Sequence, residues 1–415
     1  MSDRALQAPV TLPMVTPAEA EKRIFETVMP FHREDCPLAN AHGRILRVDL
    51  TADRDLPPYN RVTMDGFAVR AAALAGGQRQ FTVEATQAAG MRAFKLSAND
   101  SACVEVMTGA VLPDGADCVV PYEEAQREGK TVAMSTTALS FAAGHAVHAR
   151  GSDRKAGEPI VRAGTRLTGR EIAVAAACGH RVVVVTQQPK IAVVSTGDEL
   201  VEIDMPVASH QVRRSNDYAL RAALMGAGFT NVARFHLRDV PHEIQRMLLQ
   251  IIAEHDAVIV MGGVSKGKFD YVPKELEGQG VERKFHGVAQ RPGKPMWFGV
   301  SPRHTLVFAL PGNPVSCFTC LHRYVLPALA RAMGAAPATP SIAALGNPVT
   351  FKPPLTYFVP VKIRSGAGAE QLAEAIETNT SGDFAGLLGT DGFIELPAEK
   401  SEFPVGFLAR FWRWA

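Results

Sequence analysis

The sequence predicts a multidomain protein of the α/β plus β class, with β-rich N-terminal domains, a central α/β domain and a C-terminal β-barrel. Three patterns carry this expectation. Between Asp49 and Pro189, short β-type runs are cut by glycine and proline turns. From Pro189 to Met333, strand-like and helix-like patterns alternate, as in a parallel sheet covered on both faces. From Ser341 to Ala415, strand and hairpin patterns return. A length of 415 residues allows three or perhaps four domains, at roughly 100 to 200 residues each.

In chain order, the first expected element is a helix. Thr16 is placed to cap it, Pro17 to take the first helical position and Glu19 to complete a capping box, and the helix stops before Pro30. The β-rich part contains runs such as CVEVMTGA and CVVPYEE, turns at Gly76-Gly77 and Pro113-Asp114-Gly115, and one helix at Gly169–Cys178. The α/β part predicts a strand at 190–195, a helix from about Asn216, a strand at 231–236, a helix over 241–255 and a strand at 256–261. A helical segment near Asp270–Leu276, strands at about 281–288 and 305–310, and a long helix from Pro314 to Met333 follow. Residues 333–340 read as a linker, and GTDGFIELP as part of a hairpin.

Composition narrows the function. Lys+Arg 44 against Asp+Glu 42 leaves a formal charge of +2, too little to draw the chain to nucleic acid or an anionic membrane. Apolar residues at 47% and charged residues at 21% are enough to build cores rather than disorder. No apolar run reaches the ~18 residues of a membrane helix, and MSDRALQAPVTLP lacks signal-peptide features, so a cytoplasmic protein is expected. The six cysteines are scattered in apolar sequence. Only Cys317 and Cys320 form a CxxC pair, and they fall in a helical pattern, which favours packing over zinc.

The richest motif follows the strand at 256–261: Gly262-Gly263-Val264-Ser265-Lys266-Gly267-Lys268-Phe269. As a P-loop it fails at Phe269, where a magnesium-binding Ser or Thr is needed. As a nucleophile elbow it has Gly263-x-Ser265-x-Gly267, with His286, His304 and His322 downstream, but the following helix starts too late. Its physical offer is a set of backbone N–H groups at a strand's carboxyl end, where α/β sheets bind ligands. Equivalent ends carry Ser195-Thr196-Gly197-Asp198-Glu199, Arg238-Asp239 and Leu310-Pro311-Gly312-Asn313-Pro314. The last turn is expected to aim the N–H groups of Val315, Ser316 and Cys317 at a ligand. Carboxylates beside phosphate-ready turns suggest a divalent cation held against a phosphorylated ligand. Arg291-Pro292-Gly293-Lys294-Pro295 adds two cations on a rigid turn, suited to an oxyanion.

Together, LPPYNRVTMDGFAVR, VMTGAVLPDGAD, RGSD, STGDEL, GGVSKGKFDY, RPGKP and LPGNPVS resemble the MoeA family of molybdopterin molybdenumtransferases, which includes the gephyrin E domain. The resemblance runs from about Val15 to the C-terminus. It implies a central three-layer α/β molybdopterin-binding domain at 188–337 and a C-terminal barrel at 338–415. An elongated domain would be built from 14–54 and 148–187, with a β domain inserted at 55–147. It implies a transferase of molybdenum cofactor biosynthesis that takes adenylylated molybdopterin and molybdate and releases AMP with Mg²⁺ or another divalent cation. A cytoplasmic homodimer is implied, with the site between subunits and transient contacts to a molybdopterin adenylyltransferase or to recipient molybdoenzymes.

By the same resemblance, Asp65, Glu199 and Asp239 are catalytic, and with Asp153 they surround the metal. Thr108, Gly262, Gly263, Ser265, Asp270, Pro311, Gly312, Asn313 and Ser316 would bind the pterin substrate, and Arg291, Lys294 and Pro295 the molybdate. The chain also departs from the family's pattern. Arg61 interrupts the usual D-N-S-A-M-D-G, Lys266 and Lys268 add charge to the GGVS loop, and Gly287 replaces a frequent lysine. Leu355 and Pro360 stand where the barrel motif R-x-x-F-x-R has arginines. The lost barrel arginines motivate an alternative, a non-catalytic paralogue that carries or scaffolds molybdopterin, and the sequence leaves open molybdate against tungstate and which carboxylates meet the cation.

Overall fold

A computed structural model describes residues 14–264, 271–366, 368, 370–376 and 380–414. Its centre is a six-stranded sheet in the order Val232–Leu237, Ile191–Thr196, Ala257–Met261, Leu306–Leu310, Trp297–Val300, Glu282–His286. The first four run parallel, with Ile191 beside both Val232 and Ala257, and Ala257 beside Leu306. Every residue of Ala257–Met261 and Leu306–Leu310 is buried. That burial explains why these strands read as unbroken apolar runs: helices cover both faces. On one face pack Leu220, Leu224, Tyr324, Leu329 and Ile24; on the other pack Ile244, Leu248, Ile251 and Leu276.

Two sequence expectations are corrected here. The sheet is not wholly parallel, since Trp297–Val300 and Glu282–His286 run antiparallel at one edge. Trp297–Val300 escapes sequence reading because it is only four residues long and Gly299 breaks its apolar run. The long helix is also interrupted. It is α-helical over Pro314–Cys320 and Leu326–Ala332, with a π-turn at Leu321–Val325 in which the Leu326 N–H bonds back to Leu321. Pro327 has no N–H for the carbonyl of Arg323, four residues back, so the regular ladder cannot continue through this point. The short helix after residue 270 begins at Val272 and runs to Gly278.

The N-terminal helix spans Pro17–Thr27. Thr16 Oγ1 accepts from the Glu19 N–H at 3.2 Å, but the Glu19 carboxylate turns to Arg23 (2.8 Å), so only half the expected capping box forms. A complete box starts the helix Gly169–Ala177, where Glu171 accepts from the Thr168 N–H at 2.8 Å. Arg33–Pro37 pairs with Val182–Thr186, and Leu50–Thr51 with Pro159–Val161, which laces the early chain to residues after 148. Between them lies a six-stranded sheet in the order Cys118–Pro121, Gly66–Val69, Ala102–Val106, Gln80–Gln87, Thr131–Met134, Ala125–Glu128.

At the C-terminus, strands Thr356–Ser365, Gln371–Ala375, Ser341–Leu345, Leu408–Arg413 and Gly392–Leu396 pair in that order, and the last returns to the first. The result is a closed barrel, filled by Leu345, Val359, Ile394 and Phe411. Arg323, from the π-turn, joins it to the rest by ion pairs to Glu395 (3.0 Å) and Glu21 (3.1 Å).

All six cysteines are buried free thiols. Burial pushes Cys103 and Cys320 up to about 12 and Cys118 to about 11, which keeps them protonated and unreactive. Among the described residues, no helix is long and apolar enough to cross a membrane.

Candidate functional site

Because the four parallel strands are neighbours, their carboxyl ends share one edge of the sheet, the edge at which α/β folds bind ligands. The four turns singled out in the sequence therefore meet. They line a cleft of about 660 Å³ through Gly197, Glu199, Asp239, Gly262, Gly263, Pro311, Gly312 and Asn313.

Glycine is required at the centre of this cleft. Gly262 and Gly263 have φ of +94° and +64°, in the region that L side chains rarely occupy. A Cβ on Gly262 would lie 2.8 Å from Thr196 Oγ1, and one on Gly263 would lie 2.9 Å from Val272. The Gly262 N–H donates to the Leu310 carbonyl at 3.1 Å, so the glycine turn and the Pro311–Pro314 turn lie against one another. Asn216 Nδ2 donates to the Gly312 carbonyl at 2.7 Å and braces the second turn from outside.

The helix start after Asn313 offers fewer free donors than expected. The Val315 N–H is given to the Ser381 carbonyl (3.1 Å) and the Cys317 N–H to the Asn313 carbonyl (3.0 Å). Asn313 Nδ2 donates to Ser381 Oγ at 2.8 Å, and Gly382 lines the cleft, so the barrel contributes a wall. The sequence held no sign of that contact, since Ser381 sits 68 residues from Asn313.

The Asp239 carboxyl is pushed above the ordinary carboxylate range, first by burial and then by the nearby charges of Asp198 and Glu199. Glu199 and Asp239 both line the cleft, where a bound divalent cation would relieve their repulsion. Arg213 and Arg214, which no sequence motif marked, also line the cleft, at the end of the strand that pairs with the one following Glu199. Arg214 is nearly buried, paired with Glu202 and at 2.5 Å with Asp217. Arg234 shares Asp217 at 3.0 Å and lies 3.6 Å from the centre of the Tyr218 ring. In the sequence Arg213 and Arg214 are marked only as adjacent arginines, well downstream of Asp198-Glu199.

The remaining expected residues lie elsewhere. Asp65 Oδ1 accepts from the Thr108 N–H (2.6 Å) and hydroxyl (2.7 Å), and these bonds lower its carboxyl below the usual range. Asp153 meets His148 Nε2 at 2.9 Å. Neither aspartate lines the cleft. Among the described residues no three His, Cys, Asp or Glu groups could hold a metal together. Asp65, Asp153, Glu199 and Asp239 thus do not converge within one chain.

Arg291 and Lys294 are exposed on their turn, and Pro295 reaches the cleft. Gln290 braces this turn from inside, accepting from the Tyr324 hydroxyl and donating to the Pro292 carbonyl at 3.1 Å. A Cβ on Gly293 would come within 2.6 Å of Cys320 Sγ, so the Cys320 thiol packs beneath the turn. Ser265, Lys266, Lys268 and Asp270 lie outside the described residues. Of the bases considered for a serine elbow, His286 is bonded to the Val264 carbonyl (3.0 Å), and burial lowers His322 to about 4.

The fold and cleft define a multidomain α/β protein that gathers anion-binding turns and carboxylates at one sheet edge. Comparison with known proteins gives the family. Residues 15–179 match the MoeA N-terminal region (domain I and II), 192–331 a probable molybdopterin binding domain, and 343–413 the MoeA C-terminal region (domain IV). The chain is 41% identical over 375 residues to a molybdopterin molybdenumtransferase of Synechocystis, covering 90% of this chain and 93% of that protein. A Staphylococcus epidermidis protein of the same name is 30% identical over 398 residues, covering 94% and 93%. A crystal structure of the molybdopterin biosynthesis MoeA protein of Pyrococcus horikoshii superposes with a TM-score of 0.81 at 28% identity, over 97% of this chain and 100% of that one. The chain belongs to the MoeA family of molybdopterin molybdenumtransferases, and with it to the transferases of molybdenum cofactor biosynthesis.

Proposed function

We propose that this protein inserts molybdenum from molybdate into adenylylated molybdopterin and releases AMP in a step that depends on a divalent cation. The observation that carries this reading is the cleft itself, where backbone turns suited to phosphate share one lining with Glu199 and Asp239, the latter crowded further by Asp198. The turns at Gly262–Gly263 and Pro311–Asn313 would take the phosphate oxygens, with Ser265, Asp270 and Ser316 completing the pterin contacts. Glu199 and Asp239 would hold Mg²⁺, which when bound neutralises charge on the phosphate being cleaved. Arg291 and Lys294, with Pro295, would present molybdate from the braced turn beside the cleft. A preorganised turn costs little reorganisation as charge develops, and that is where its rate advantage would arise.

The reading also includes a homodimer. Asp65, Thr108 and Asp153 sit on the N-terminal sheet and its flanking strand, away from their own chain's cleft, so a second copy would supply them. The division into 14–54 with 148–187, 55–147, 188–337 and 338–415 is supported by the strand pairs that lace residues 33–51 to 159–186. Cytoplasmic location and contact with an adenylyltransferase or a recipient molybdoenzyme belong to the same proposal.

A second reading is a non-catalytic molybdopterin carrier or scaffold, favoured by the barrel. Its strand Thr356–Tyr357 runs alongside Gln290–Arg291, so Leu355 brings no charge where a neighbouring arginine would meet the molybdate turn. One experiment separates the two. The purified protein is incubated with adenylylated molybdopterin, molybdate or tungstate, and Mg²⁺, and AMP is measured. Release of AMP with molybdate supports the transferase; pterin binding without AMP release refutes it in favour of the carrier.

A further inference from the structure

The aspartates near the start of the β-rich region are held in two different ways. Asp49 and Asp55 are paired with arginines, Arg162 at 2.9 Å and Arg150 at 2.8 Å. Asp65 takes its bonds from the uncharged N–H and hydroxyl of Thr108. Asp153 belongs with Asp65. Its Oδ1 lies 2.9 Å from His148 Nε2, while the other ring nitrogen, Nδ1, lies 3.1 Å from Arg61 Nη2. A guanidinium can only donate, so Nδ1 must accept, and the single ring proton is left on Nε2 facing Asp153. The chain is built to hold this arrangement. His148 stands directly across from Arg61 in the antiparallel pair of Val147–His148 with Arg61–Val62, and the Asp153 N–H is tied to the Leu56 carbonyl at 2.9 Å.

We propose that His148, locked by Arg61, is a positioning residue that orients the Asp153 carboxylate toward a divalent cation. This rests on the reading above, in which Asp153 of one copy faces the cation site of another. A neutral imidazole N–H fixes one carboxylate oxygen and leaves the full negative charge for a cation. An arginine in direct contact, as at Asp49 and Asp55, would offset that charge and compete with the cation. Arg61, an interruption in the motif Asn60–Gly66, thereby gains a role two bonds away from the cation. Partners that orient metal-binding carboxylates typically account for about 10–100-fold in metal affinity.

The test uses the full-length protein and Mn²⁺ as the probe, with free Mn²⁺ followed by its EPR signal in the presence of AMP. Four variants are compared: His148→Leu, His148→Gln, Arg61→Leu and Asp153→Asn. His148→Leu and Arg61→Leu are expected to weaken Mn²⁺ binding about 10-fold. They should also raise the Mg²⁺ needed for half-maximal AMP release, with KM for adenylylated molybdopterin within about twofold. His148→Gln, whose amide can still donate to Asp153, is expected to restore most of the affinity. If His148→Leu binds Mn²⁺ like the parent protein while Asp153→Asn binds it more weakly, the positioning role is overturned and the cation reading stands. If Asp153→Asn also leaves Mn²⁺ binding unchanged, the cation reading of Asp153 falls and takes this proposal with it.

Discussion

Replacing Arg323 by alanine should loosen the barrel from the rest of the chain. The guanidinium side chain is 1% exposed, with Nη1 3.1 Å from Glu21 and Nε 3.0 Å from Glu395. Its centre also lies 4.5 Å from the centre of the Trp412 ring. One cation thus joins the N-terminal helix, the π-turn and the barrel. Glu21 and Glu395 retain 21% and 16% side-chain exposure, so alanine would leave Glu21 with only Arg410 at 3.5 Å and Glu395 with no cation among the described residues, only the Trp412 Nε1–H at 3.1 Å. Removing one partner of a buried pair costs about 3–5 kcal/mol, and the partial exposure of both acids places the expected loss near 3 kcal/mol. Urea unfolding followed by tryptophan fluorescence reads this directly. Of the three tryptophans, Trp412 lies in the last barrel strand, Trp414 follows it and Trp297 lies in the central sheet. Arg323→Ala should shift the barrel signal to lower urea, ahead of Trp297. Pairing Arg323→Met with Glu395→Gln should recover part of the loss, since no unpaired charge then remains at the barrel. A shift worth less than about 0.5 kcal/mol for Arg323→Ala, the range of ordinary surface substitutions, would refute the reasoning.

Two further outcomes follow from the cleft. Gly262→Ala places a methyl 2.8 Å from Thr196 Oγ1 at a φ of +94°; it should destabilise the fold by about 1–3 kcal/mol in thermal or urea melts, and a neutral result would contradict the strained turn. Asp239→Asn tests the crowded carboxylates through pH. The raised Asp239 carboxyl means that its ionised form opposes folding, a cost absent below the ordinary carboxylate range and incurred as pH rises through the folded value. The asparagine variant should therefore melt higher than the parent at pH 7 without divalent cation, and the gain should vanish as pH falls below about 4. A gain independent of pH would remove the electrostatic cause.

Much of the fold was legible because its signals are local. The strands at 191–196 and 257–261 announce themselves as apolar runs ended by glycine turns, and the cap at Thr16 needs only residues three positions apart. The four strand-end motifs were likewise visible one by one. Their meeting in one cleft follows from the parallel order of the strands, which alternation in the sequence implied. What stayed hidden were features with no period or no local partner. Trp297–Val300 is a short run broken by Gly299, and Pro327 was readable as a proline but not as the cause of a π-turn that carries Arg323 toward the barrel.

By itself, the sequence determined the class of fold, the turns that line the cleft and the family whose motifs they match. Tertiary structure decided how side chains far apart in the chain divide the charge. It set Arg234 against Asp217, Ser381 against Asn313, Arg323 between Glu21 and Glu395, and Arg61 against His148. Turn geometry depends on backbone conformations that neighbouring residues dictate, so it can be read along the chain. Hydrogen bonds and ion pairs depend on distances of a few ångströms between residues as many as 389 positions apart, and only the packed fold sets those distances.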